Sequence, residues 1–81
     1  MLGEINDQCA VAFGAVLREL RKKAGLSQEA LGFAADLQRN YISLMELGHN
    51  QPSVATVFKL ANALNVRPSV MMEMLEQRLS S

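Results

Sequence analysis

The sequence predicts an all-α domain of five short helices. Three observations point to it. Apolar residues recur at the 3.6-residue period in successive segments. Alternation of period two never persists for more than a few residues. Gly, Ser and Pro fall where helices begin and end. The 81 residues make one domain, 1–81. At that size only roughly 60% of the unfolded chain's surface is buried on folding, so stability is modest without help.

Cys9, Phe13, Val16, Leu17, Leu20 and Ala24 keep the helical spacing and predict a first helix from about Asp7 to Ala24, with Cys9 in the core. Gly25 ends it, after basic residues that suit a helix C-terminus. Ser27 caps a short second helix, with Glu29 in its first turn and Leu31, Ala34 and Ala35 facing inward. Asp36-Leu37-Gln38 breaks that helix. A third carries Arg39 to about Leu47, turns Ile42 and Met45 into the core, and stops at Gly48. After His49-Asn50-Gln51-Pro52, Ser53 caps a fourth helix whose inward positions are Val54, Val57, Leu60, Ala61 and Leu64. Asn65-Val66-Arg67 is a turn, and Pro68 suits the first position of a fifth helix running to about Leu79.

With 49% hydrophobic and 20% charged residues, the composition is that of a globular chain and not a disordered one. Cys9 is the one cysteine, which excludes an internal disulfide, and His49 the one histidine, which puts a structural zinc cluster out of reach. Self-association is the remaining aid to stability, and a lone thiol fits a reducing cytosol. The longest apolar run, Cys9 to Leu17, is far too short to span a bilayer. Glu4 and Asp7 precede it where a signal peptide would carry Lys or Arg, so a cytoplasmic chain with no membrane partner is expected. No histidine–carboxylate or cysteine–histidine set and no glycine-rich phosphate loop is present, so no catalytic residue, metal, cofactor or small-molecule ligand is expected.

Eight basic and eight acidic residues cancel. Phosphate binding draws on Lys and Arg, so the distribution matters more than the sum. Residues 1–17 hold Glu4 and Asp7 with no base, whereas Arg18, Arg21, Lys22, Lys23 and Arg39 outnumber Glu19, Glu29 and Asp36 between 18 and 39. The positive charge is local.

Gly25-Leu26-Ser27-Gln28, then Leu31, Ala35 and Leu37, then Tyr41-Ile42-Ser43, Glu46, Gly48, Pro52-Ser53 and Leu60-Ala61-Asn62-Ala63-Leu64-Asn65-Val66 together resemble the Cro/repressor (XRE) helix-turn-helix family. The likeness covers roughly Phe13 to Val66. Within the family, Arg39-Asn40-Tyr41-Ile42-Ser43 is similar to the recognition helix of restriction–modification controller proteins. The resemblance implies a lambda-repressor-like DNA-binding domain with its motif at 27–47, a transcriptional regulator that binds double-stranded DNA.

Two helices joined by a short turn cross steeply, so the second can enter a major groove about 12 Å wide while the first lies over the backbone. The outward residues of the third helix, Gln38, Arg39, Asn40, Tyr41, Ser43 and Leu44, are the candidates for base contact. Arg39 can donate two hydrogen bonds to O6 and N7 of guanine, and Asn40 can pair with adenine in the same manner. Tyr41 can meet a thymine methyl or a phosphate, Ser43 offers a hydroxyl, and Leu44 can pack on a thymine methyl. The plainer alternative is that Arg39 and Asn40 solvate a helix start.

By the resemblance, Gln28 and the free amides beside Ser27 clamp a phosphate; the alternative is an ordinary polar helix start. His49, Asn50 and Gln51, with Ser53, are candidates for a second clamp. Lys22 and Lys23 can reach phosphates or simply end the first helix. The family commonly pairs an arginine late in helix one with a glutamate ending helix three, which implies a structural salt bridge between Arg21 and Glu46. Two positions depart from the family: Gly32 stands where alanine is usual, and Asp36 where a glycine makes the left-handed turn.

The fifth helix, 68–79, carries Val70, Met71, Met72, Met74, Leu75 and Leu79, too wide an apolar surface for one side of a small domain. Part packs inward, through Val70, Met74 or Leu75. Met71, Met72, Leu75 and Leu79 are the candidates for a homodimer interface. A two-fold dimer would set two recognition helices about 34–36 Å apart and read a near-palindromic operator. The rival reading keeps the fold but makes it an antitoxin or protein-interaction module that binds another protein through this helix.

Overall fold

In the computed structural model, which describes residues 2–80, five helices follow one another: α1 (Leu2–Lys23), α2 (Gln28–Ala35), α3 (Arg39–Glu46), α4 (Val54–Leu64) and α5 (Pro68–Ser80). No strand occurs among the described residues. α1 starts well before Asp7. Its early turns expose nearly every side chain, so they lack the buried stripe that periodicity detects, while Glu4 in the first turn favours the positive end of the dipole.

The helix ends share one device. Gly25, Asp36, Gly48 and Asn65 take left-handed backbone angles just past α1, α2, α3 and α4. In each case that residue's N–H and the next one donate back to the last turn. Leu26 donates to the Arg21 carbonyl at 3.1 Å, Leu37 to Gly32 at 2.8 Å, His49 to Leu44 at 2.9 Å and Val66 to Ala61 at 3.0 Å. Asp36 and Asn65 can do this because short polar side chains visit the left-handed region at lower cost than others. The departure at Asp36 therefore leaves the turn closed in the ordinary way. At the N-termini, the Ser27 hydroxyl accepts from Ala30 N–H at 3.0 Å and the Ser53 hydroxyl from Thr56 N–H at 3.1 Å, as expected of caps.

α1 packs on α3 and α5, α2 on α3 and α4, and α4 on α5. Where they meet, Val16, Leu17, Leu31, Ile42, Met45, Leu60 and Met71 are fully buried. Two glycines set how closely backbones approach. A Cβ at Gly14 would collide with the Met45 carbonyl and lie 2.8 Å from that of Glu46, so α1 touches the end of α3 directly. A Cβ at Gly32 would lie 2.6 Å from the Leu37 carbonyl. Glycine costs on the order of 1 kcal/mol of helix propensity there, and the close turn into α3 is what it allows.

Several inward assignments need correcting. Ala34 is exposed, because the buried side of α2 runs through Leu31, Gly32 and Ala35. Val54 is 75% exposed: it begins α4 beyond the core, and Thr56 takes the inward place with its hydroxyl 3.0 Å from that of Ser53. Cys9 is only half-buried and Ala24 is exposed, at the two ends of the stripe on α1. Val70 is also exposed. In α5 the inward row is Met71, Met74 and Leu75, at spacings of three and four.

Candidate nucleic-acid interface

α3 has two unlike sides. Ile42 and Met45 are fully buried in the core, and Tyr41 is half-buried against it. On the opposite side and at the helix start, Gln38, Arg39 and Asn40 are exposed, with Ser43 and Leu44 half-buried between. Gln38 takes extended backbone angles just before the helix and makes no side-chain cap. The guanidinium of Arg39 and the amide of Asn40 have no hydrogen-bond partner among the described residues. Both are free to meet an external surface.

The far end of α3 is fastened. Arg21 Nε donates to Glu46 Oε2 at 2.6 Å and Arg21 Nη2 to Glu46 Oε1 at 2.9 Å, a two-point fork between α1 and α3. Arg21 Nη1 donates to the Leu26 carbonyl at 2.9 Å, holding the turn between α1 and α2. The two side chains keep only 12% and 5% exposure. The pKa of Arg21 is raised, first by its hydrogen bonds to Glu46 and further by the carboxylate's charge, against the desolvation that opposes both. The guanidinium stays charged.

A third partner joins this pair. Gln28 Nε2 donates to Glu46 Oε1 at 3.1 Å. The contact spans 18 positions of sequence and carries no periodic or compositional signal, so only the assembled fold reveals it. The half-buried Gln28 is thus partly engaged within the chain, where the sequence suggested a free phosphate ligand. Beside it, Ser27 is exposed while its hydroxyl caps α2. Lys22 and Lys23 are exposed at the end of α1, two residues before the turn that Arg21 holds.

The loop between α3 and α4 is less free than expected. His49 and Asn50 are exposed, but Gln51 Nε2 donates to the Asn6 carbonyl of α1 at 2.9 Å, and the Ser53 hydroxyl serves as the α4 cap. Away from this face, Met71 is removed from the set of interface residues: it is fully buried in the chain's own core. Leu75 is half-buried against the same core, whereas Met72 and Leu79 stay 41% and 42% exposed. Among the described residues no cluster of His, Cys, Asp and Glu could hold a metal ion, and no helix is long and apolar enough to cross a membrane.

A helix-turn-helix family model matches residues 17–71. The chain is 39% identical over 70 residues to the control protein C.BamHI of Bacillus amyloliquefaciens, a match that spans 85% of this chain and 86% of that one. It superimposes on the crystal structure of the restriction–modification controller protein C.AhdI from Aeromonas hydrophila with a TM-score of 0.75, at 44% identity, over 76% of this chain and 94% of that one. The controller C.Esp1396I, crystallised as a tetramer with its natural 35 base-pair operator, is similar at a TM-score of 0.82 and 25% identity, over 90% of this chain and 96% of that one.

Proposed function

This chain belongs to the helix-turn-helix family, and from that premise we propose that it is a transcriptional regulator, acting as a homodimer on a near-palindromic operator in double-stranded DNA. The observation that carries the reading is the division of α3: Ile42 and Met45 lock it to the core while Arg39 and Asn40 stand free at its start. Control proteins among its relatives, one of them crystallised on its operator, support the same task for this fold.

In this reading α3 lies in the major groove. Arg39 reads guanine through two parallel hydrogen bonds and Asn40 reads adenine, while Gln38, Ser43 and Leu44 contact neighbouring base edges and Tyr41 a thymine methyl or a phosphate. Ser27 and Gln28, at the positive start of α2, receive one phosphate, with Lys22 and Lys23 beside them. His49 and Asn50 receive another. Gln51 and Ser53 join through backbone N–H groups, their side chains being occupied. Met72 and Leu79, with the outer edge of Leu75, supply the dimer surface. The dimer doubles the phosphate contacts and so answers the zero net charge. The task requires no catalysis and places the chain in the cytoplasm. The control proteins named above favour this reading over the antitoxin-like one.

Selecting bound sites from random duplex DNA tests this directly. A symmetric site with guanine opposite Arg39 is expected, bound with affinity that falls steeply as salt rises. Arg39→Ala should keep the thermal transition and lose roughly 1–3 kcal/mol of discrimination at that base. An unchanged site preference in that variant would sink the assignment.

A further inference from the structure

The loop between α3 and α4 lies against α1 at two places. Near its start, Gly48 sits so close to Val11 that a Cβ there would be 3.0 Å from Val11 Cγ2 and 3.2 Å from its Cα. Further on, Gln51 Nε2 donates to the Asn6 carbonyl at 2.9 Å. A backbone carbonyl can only accept, so the amide nitrogen of Gln51 is the atom that must face it. Inside a helix that oxygen already takes the N–H four residues on, and Gln51 uses its second lone pair. Asn6 lies five positions before Val11, roughly 7.5 Å along the helix axis, so the loop runs back along α1 between two fixed points. His49 and Asn50 are the residues between, both exposed, with side chains that have no partner among the described residues.

We infer that the exposed first turns of α1 are a brace for this loop, with Gln51 the positioning residue that sets His49 and Asn50 for the DNA backbone; the inference rests on the DNA-binding reading above. The brace accounts for a part of the helix that the core does not use. Residues 3–8 are exposed, Cys9 is half-buried, and Ala10 is the first buried residue. Helices of folded proteins are held mainly by burying an apolar stripe, which these turns lack. They do continue a helix locked into the core at Phe13, Val16, Leu17 and Leu20, and the loop borrows its stiffness from there. Side chains already held in place lose less conformational freedom on binding. Phosphate contacts carry no base preference, so the gain applies to any duplex alike.

The experiment compares full-length wild type, Gln51→Met, Gln8→Pro, Asn50→Ala and Gln51→Met/Asn50→Ala. Gln51→Met keeps the length of the side chain and removes the donor. Gln8→Pro keeps the net charge and breaks α1 ahead of Ala10, releasing Asn6 while sparing the core. In the free protein, NMR order parameters of the backbone at residues 49–51 are expected at about 0.85 in wild type, falling toward about 0.6 in Gln51→Met and Gln8→Pro. Binding is then measured to the duplex recovered by selection and to a scrambled duplex of equal length. Gln51→Met and Gln8→Pro should each lower both affinities about threefold and leave their ratio unaltered. Adding Asn50→Ala to Gln51→Met should weaken binding less than Asn50→Ala does in wild type, because a side chain no longer held in place has less to lose. A loop that stays ordered in Gln51→Met overturns the inference, and weaker binding without loosening would make the amide itself the phosphate ligand. Loosening with both affinities unchanged overturns it as well. Wild type that binds neither duplex, with its loop ordered, overturns the DNA-binding reading and leaves only the brace.

Discussion

α3 and α5 are both short, both expose side chains to a prospective partner, and are held in quite different ways. α3 buries Ile42 and Met45 completely, meets the backbone of α1 at Gly14, enters through the close turn at Gly32, and ends in the fork from Arg21. α5 buries one residue completely, Met71, and its last turns are tied to α1 by the Arg78–Glu19 pair at 3.0 Å, whose side chains are 44% and 47% exposed. The contrast follows from the tasks proposed for them. A helix that must place two side chains against base edges has to be fixed in rotation and in height. A helix that offers an apolar patch to a second subunit needs only one inward row.

The largest effect should come from breaking the anchor of α3. Glu46→Ala leaves the guanidinium of Arg21 nearly buried without its carboxylate, and should cost roughly 3–5 kcal/mol in denaturant unfolding. Removing both charges should cost less than the sum, since the intact pair gains little over its desolvation. A Glu46→Ala protein that melts like wild type would show that the fork does not hold α3. Alkali offers a check of sign. Arg21 has a raised pKa in the folded chain, so its contribution is fully present below its ordinary value and is lost only as pH climbs through the raised one. Stability should therefore show no loss traceable to this group up to about pH 10.

Next in size is the anchor of α5. Met71→Ala removes a side chain with no exposed surface and should cost about 2–5 kcal/mol, read from the unfolding midpoint. A loss much smaller than this would mean that α5 is not needed to complete the core and acts only as an appended surface.

How much of this was legible follows the same division. The inward and outward sides of α3 can be read from the sequence because Ile42 and Met45, three apart, share one side while Arg39, Asn40 and Ser43 fall together on the other, so one rotation hides most of the apolar surface and leaves the polar residues out. In α5 the run Val70, Met71, Met72, Met74 and Leu75 is apolar over most of the helix, and several rotations bury comparable area. The sequence therefore does not separate Met71, which is fully buried, from Met72 beside it, which is exposed. Caps and left-handed turns were legible at Ser27, Ser53, Gly25 and Gly48, where local hydrogen bonding sets the residue type. The bond from Gln28 to Glu46, the bond from Gln51 to Asn6 and the early start of α1 were not. Each depends on where distant segments meet, or on a helix with no buried stripe to betray it.

A smaller effect separates a cap from a ligand. Ser53→Ala removes the hydroxyl that accepts from Thr56 N–H and faces the Thr56 hydroxyl, and should cost about 1 kcal/mol of stability. If Ser53 acts on DNA only through its backbone, affinity measured well below the melting temperature should stay within about twofold of wild type. A larger loss of affinity at full folding would return the hydroxyl to the phosphate clamp.

The smallest effect on the folded chain is the most informative about α5. Met72→Ala makes the same chemical change as Met71→Ala one position away, on a side chain 41% exposed. Within a single subunit it should shift stability by no more than about 0.5 kcal/mol, because little packing is lost. If Met72 lies in the dimer surface, the loss appears instead in how the assembly dilutes: sedimentation across a range of concentrations should show the variant dissociating where wild type remains paired. Operator affinity should then fall at low protein concentration and recover at high concentration, since two half-sites need two linked subunits. A variant that pairs as tightly as wild type would move the dimer contact off this side of α5, while leaving the reading face of α3 untouched.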